Sequence, residues 1–120
     1  MKIPDEIIPS AYSTAKKVYE NKLTQKEAKD YLSSNFKITY GSTGDYYVFF
    51  RYLIEGKGSF RKLNCPTMDY FLEKIHKDYG KEQLKKSLDA FLNLIKYYEG
   101  LKKSESKSMR AIYEKYSKTI

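Results

Sequence analysis

The sequence predicts a mainly α-helical domain, a bundle of about six helices, from three observations. Apolar residues return at the spacing of one helix face in stretch after stretch. Helix start and stop residues punctuate those stretches: Thr24 with Glu27, Pro66, and the glycines Gly56, Gly80 and Gly100. Only Tyr46-Tyr47-Val48-Phe49-Phe50 has strong β propensity, and no second clear strand exists to pair with it. Residues 45–55 therefore read as helix in preference to a buried strand.

Residues 1–9 carry two prolines and read as an irregular arm, up to Ser10 as a helix N-cap. Ala11, Tyr12, Ala15, Val18 and Tyr19 then make a stripe ending near Asn21. Thr24 and Glu27 have capping-box spacing, with Leu23 placed to staple onto Ala28. That second helix stops near Ser34. Residues 35–44 hold two glycines and read as a loop, after which Ser42 and Asp45 are the expected caps of a third helix. Its inward residues are Tyr46, Phe49, Phe50, Leu53 and Ile54. Residues 10–58 thus form a three-helix, helix-turn-helix-like part of the single domain.

Residues 59–120 read as a long antiparallel helical hairpin followed by a short C-terminal helix. Pro66 suits a first turn, where its missing N–H has no partner to lose. Met68, Phe71, Leu72, Ile75 and Tyr79 follow on one face and Gly80 closes it, so this is the expected central helix. Leu84, Leu88, Phe91, Leu92, Ile95 and Tyr98 line the next helix, ending at Gly100. A link of few residues places the two side by side. Lys102 to Ser108 is a basic connector. Met109, Ile112, Tyr113 and Tyr116 mark the last helix.

Charge narrows the function. The chain has 120 residues with 23 Lys and Arg against 15 Asp and Glu, a net charge of +8 and a pI near 9.4. Residues 61–120 carry 14 of those cations against 8 acids, so the excess sits in the second half. Such a balance favours a polyanionic partner. Thirteen tyrosines supply rings with polar tips, suited to core edges or contact surfaces. One cysteine, Cys65, allows no internal disulfide and suits a reducing, cytoplasmic compartment. No apolar run approaches a membrane span, so no membrane partner is expected.

Metal and nucleophile chemistry find little material. With one histidine, His76, and one cysteine, a clustered zinc site is out of reach, and a Cys65–His76 dyad has its partners on different faces of one helix. No phosphate loop has the required glycine spacing. No cofactor is expected. One enzymatic pattern exists: Asp45, Glu55 and Lys57 imitate the acid…acid-x-Lys set of Mg²⁺-dependent nucleases, which requires a strand.

A binding reading uses more of the chain. In a helix-turn-helix layout the third helix presents its first turn to the major groove, which brings forward Ser42, Thr43, Tyr46 and Tyr47. Lys37, Arg51, Lys57, Arg61 and Lys62 are the phosphate candidates. Arg61 can pair bidentately with guanine or phosphate. Asn64 suits an adenine, and suits a helix cap better. Tyr40 and Tyr52 join Tyr46 and Tyr47 as rings on which an unstacked base can lie.

These residues carry a resemblance. Ala11-Tyr12…Ala15-Lys16-Lys17-Val18-Tyr19, Leu23-Thr24-Gln25-Lys26-Glu27-Ala28 and Ser42…Asp45-Tyr46 resemble the N-terminal module of bacterial HNH-type endonucleases and restriction enzymes. Arg61…Asn64, Thr67, Tyr70-Phe71-Leu72-Glu73, Lys77-Asp78-Tyr79-Gly80 and Tyr97-Tyr98-Glu99 are similar to its second half. The resemblance covers roughly residues 10–100. It implies a target-recognition part acting beside a fused or separate nuclease domain. The chain departs from that pattern at residues 37–44, and it lacks the histidines of the nuclease motif. The expectation is a non-catalytic module for double-stranded DNA, plain or modified, serving restriction or defence against phage and mobile elements, with room for a homodimer. The competing class is a protein-interaction module, a phage-encoded inhibitor or a dimerisation domain.

Overall fold

The computed structural model describes residues 6–36, 38–58, 62–103 and 105–119. They form six helices: α1 (Ile7–Tyr19), α2 (Gln25–Asn35), α3 (Tyr40–Glu55), α4 (Cys65–Tyr79), α5 (Lys81–Lys102) and α6 (Lys107–Ser117). Among the described residues there is no strand. α1, α2 and α3 pack on one another, α4 and α5 form a hairpin, and α6 lies across both. The α3–α5 and α1–α4 contacts join the two halves.

Several local signals act as expected. Thr24 and Glu27 make a complete capping box: Thr24 Oγ1 accepts from Glu27 N at 3.1 Å, and Glu27 Oε1 accepts from Thr24 N at 3.0 Å. Such a box satisfies two first-turn donors and contributes about 1 kcal/mol. Asn64 caps α4, its Oδ1 accepting from Thr67 N at 3.0 Å, and Pro66 stands in the first turn. Gly80 joins α4 to α5 at φ 93°, a conformation that favours glycine.

Three boundaries differ from expectation. α1 starts at Ile7, not Ser10. Pro9 falls in the first turn, where no intrahelical bond is lost, and the Ile7 and Ile8 side chains anchor the turn in the core. α3 starts at Tyr40 with Thr39 as its cap, so Gly41, Ser42 and Gly44 are helical rather than loop. Gly44 lies where Lys29 of α2 crosses α3; a Cβ there would stand 2.9 Å from Lys29 Cε. α5 runs through Gly100 to Lys102, and Lys103 closes it in the left-handed region. The expected central helix, α4, shares the centre with α3 and α5.

The core holds Phe49, Phe50 and Leu53 of α3, Phe71, Leu72 and Ile75 of α4, and Leu84, Phe91 and Ile95 of α5, all fully buried. Tyr12 sits edge-on to both Phe50 and Phe71, at 5.6 and 5.3 Å between centroids. Ser87 is buried among these apolar groups for a reason. Its hydroxyl donates to the Leu53 carbonyl at 2.9 Å, and Gln83 Nε2 donates to the Ile54 carbonyl at 3.2 Å. The last carbonyls of a helix have no intrahelical donor. α5 supplies those donors, which fixes the end of α3 against it.

Candidate nucleic-acid interface

The expected DNA-contact residues separate into two groups. Ser42 and Tyr46 on α3, together with Lys62 and Asn64 before α4, line one small cavity of about 150 Å³. Tyr47, Arg51 and Lys57 lie elsewhere. Tyr47 borders a groove with Val18 and Asn21. Arg51 is exposed and held by Glu55, Nε to Oε1 at 3.1 Å. Lys57 follows the Gly56 cap at the far end of α3. Lys37 and Arg61 lie outside the described residues.

The groove-reading geometry needs correction. α3 is packed on by α1, α2 and α5, so it is not free to enter a major groove along its length. Thr43 is 3% exposed and donates its hydroxyl to the Tyr40 carbonyl; Tyr46 is 2% exposed. Tyr52 is buried as well. Helical periodicity turns these three side chains inward with Phe49, Phe50 and Leu53, because they share the apolar face. Asn64 keeps its cap role, with Oδ1 accepting from both the Thr67 N–H and the Thr67 hydroxyl. The nuclease-like set is also dispersed. Asp45 and Glu55 are ten residues apart on one helix, roughly 15 Å along its axis, and Glu55 is engaged by Arg51 and Tyr19. Among the described residues no cluster of His, Cys, Asp or Glu is placed to hold a metal ion.

A basic cleft adjoins the small cavity. It measures about 300 Å³ and lies between the start of α4, the end of α5 and the start of α6. Lys62, Lys102 and Lys107 line it, with Cys65 and Tyr98 in the wall. Desolvation at the cleft wall, and then the neighbouring Lys102 ammonium, push the Lys62 pKa below the ordinary lysine value. Two ammonium groups held together repel each other, and an anion between them reverses the sign of that interaction. Among the described residues no carboxylate forms an ion pair with any of these three lysines.

Two acids, Glu99 and Glu105, stand in the cleft wall, and the first is paired within the protein. Glu99 is clasped by Arg110, Oε1 to Nη2 at 2.6 Å and Oε2 to Nε at 2.7 Å, and Oε2 also accepts from Ser106 N at 2.9 Å. The Arg110 guanidinium, followed by the Ser106 N–H, lowers Glu99 to about 2. The clasp ties the start of α6 to the end of α5. The Ser106 side chain makes no cap bond, so the first-turn N–H groups of α6 open beside Lys107 without a capping side chain. The positive end of the helix adds to the lysines there.

Lys102 and Lys107 were not singled out as contact residues by the sequence. The signal was the basic connector between α5 and α6, but its approach to Lys62, forty residues away, depends on the tertiary fold. Comparison with protein-family models, with known proteins and with solved structures finds no match to this chain.

Proposed function

We propose that the chain is a non-catalytic DNA-binding module that anchors a backbone phosphate in the basic cleft, and that it serves restriction or defence beside a nuclease. The observation that carries this reading is the Lys62–Lys102 pair held at one end of the bundle, with Lys107 and the start of α6 beside it. The resemblance of residues 10–100 to a nuclease-associated recognition module supports the same class of partner. The test is a titration of duplex DNA at several salt concentrations. Affinity is expected to fall steeply with salt, and the Lys62→Ala/Lys102→Ala double variant to flatten the log–log slope by about 2. Salt-independent binding, or a slope unmoved by the double variant, overturns the reading.

The second reading is a protein-interaction module. Tyr97 and Leu101, one turn apart on α5, are 43% and 63% exposed and give an aromatic and aliphatic patch near the cleft. An interface built on them would bind a protein partner with little salt dependence. Tyr97→Ala/Leu101→Ala separates the two, since it leaves the lysine cleft intact.

A further inference from the structure

The charge balance of the basic cleft bears on which phosphate it takes. Lys62, Lys102 and Lys107 line it together with Glu99 and Glu105. Glu99 is matched by Arg110, which clasps it at 2.6 and 2.7 Å. Glu105 offsets the charge of one lysine. Two positive charges of the cleft are left unmatched.

We propose that the cleft takes the terminal phosphate of a DNA strand, a phosphate monoester, in preference to an internal phosphodiester. This inference rests on the DNA-binding reading of the cleft and specifies it. Charge is the first argument. An internal phosphodiester carries a single negative charge, whereas a phosphate monoester carries about 1.5 to 2 at pH 7. The monoester is the better match to two free cations. Lys62 and Lys102 stand close enough to act on each other directly, so one phosphate can accept from both. Shape is the second argument. The cleft measures about 300 Å³, the low end of the range for small-ligand sites, and three helix ends wall it. An internal phosphate continues into sugar on both sides and needs a groove open at both ends. A terminal phosphate continues on one side only. The wall is the third argument. Ser106 and Ser108 bring hydroxyls to it, and the Ser106 side chain is not engaged in capping α6. Half-buried Tyr98 and Cys65 give a flank against which a terminal sugar can lie. Such an end is what phosphodiester hydrolysis leaves. Water adds to phosphorus, the bond from phosphorus to one sugar oxygen breaks, and that oxygen departs as a hydroxyl. The other strand end keeps the phosphate as a monoester. The cleft is thus suited to hold a product end of the nuclease beside which the module is proposed to act.

The test uses the full chain and three short duplexes of one sequence: hydroxyls at all ends, a 5′-phosphate, or a 3′-phosphate. At least one phosphorylated duplex is expected to bind about tenfold tighter than the hydroxyl-ended one, the worth of one charge-assisted hydrogen bond. The two arms tell which end the cleft takes. Lys62→Ala/Lys102→Ala is expected to abolish the gain. Lys22→Ala/Lys26→Ala removes the same charge outside the cleft and is expected to keep it. All four lysines are exposed, so both variants should fold. Equal binding of the three duplexes overturns the terminal-phosphate inference, while salt-dependent binding through the lysine pair leaves the phosphate anchor standing. A gain that survives Lys62→Ala/Lys102→Ala overturns it as well. So does a gain that Lys22→Ala/Lys26→Ala abolishes, because the added charge then acts on the whole basic surface. Absence of binding to all three duplexes overturns both readings together.

Discussion

Two regions of the molecule treat buried and half-buried tyrosine in opposite ways. Where α1 meets α3 and α4, tyrosine hydroxyls end on carboxylates that cations hold in turn. Tyr12 donates to Asp78 at 2.9 Å, with Lys16 at 3.1 Å; Tyr79 donates to Glu20 at 3.1 Å, with Lys22 at 3.4 Å. Tyr19 and Glu55, with Arg51, repeat the arrangement, as do Tyr116 and Asp69, with Lys115, between α6 and α4. At the end of the bundle where α3 begins, Tyr46 is as buried as Tyr12 and its hydroxyl has no partner among the described residues, while Lys62 faces another lysine. Burial alone therefore says little about a tyrosine's role. The destination of its hydroxyl distinguishes the seams that hold the fold from the end where α3 begins.

The largest effect expected within this comparison is at the seam. Tyr12→Ala removes a ring that touches Phe50, Tyr70 and Phe71, and should cost about 3–5 kcal/mol in urea unfolding. Tyr40→Ala, at a half-exposed ring, should change stability by less than about 0.5 kcal/mol. Equal costs would remove the distinction between seam and surface. A finer cut is Asp78→Ala, which leaves the Tyr12 hydroxyl without its acceptor. It should cost about 1–3 kcal/mol, whereas Tyr12→Phe should cost about 1 kcal/mol. A double-mutant cycle on the pair should return a coupling, and strict additivity would show that the Tyr12–Asp78 bond contributes nothing.

Acid should act on the seams first. The Tyr79 hydroxyl holds Glu20 below its usual range; Asp78 is lowered by Tyr12 and then Lys16, which together outweigh its burial. Arg110 holds Glu99 lower still, at about 2. Because the folded values lie below the unfolded ones, these groups contribute fully above about pH 4. Their contribution is lost as pH falls through the folded values. Melting temperature should decline between about pH 4 and pH 2, and less steeply in Tyr12→Phe, where Asp78 loses one of the bonds that shift it. An unchanged slope in that variant would exclude Asp78 as one of the groups responsible.

Much of this was legible before any coordinates. The Thr24–Glu27 box, Pro66, Asn64 and Gly80 act within a few residues of themselves, so their pattern names their role. The helical period also identified Phe49, Phe50, Phe71 and Phe91 as core. The start of α3 was misread because Gly41 and Gly44 are turn residues by composition, yet Thr39 caps and the packing of α2 overrides their propensity. Thr43 was brought forward as a contact for the same reason: with the helix start misplaced, the first turn looked free; Tyr46 was read both as inward and as a contact, and the inward reading holds. The candidate site was half visible. Ser42, Tyr46, Lys62 and Asn64 do meet around one cavity, but Lys102 and Lys107 line the adjoining cleft, brought to Lys62 by the α5–α6 turn, and nothing local to Lys62 announces that approach. The orphan state of the Tyr46 hydroxyl likewise depends on what α4 does not offer it.

That orphan gives the smallest effect and the sharpest sign. In the free protein, Tyr46→Phe deletes a buried hydroxyl that has no partner among the described residues, so it removes a desolvation cost and no bond. Unfolding free energy should rise, by up to about 1 kcal/mol, where Tyr12→Phe lowers it by a similar amount. The same ring and the same deleted atom then give opposite signs in two parts of one core. If Tyr46→Phe instead destabilised the protein as much as Tyr12→Phe does, its hydroxyl would have a permanent partner in solution, such as a fixed water. The start of α3 would then be as fully bonded as the seams, and the contrast between the two regions would be gone.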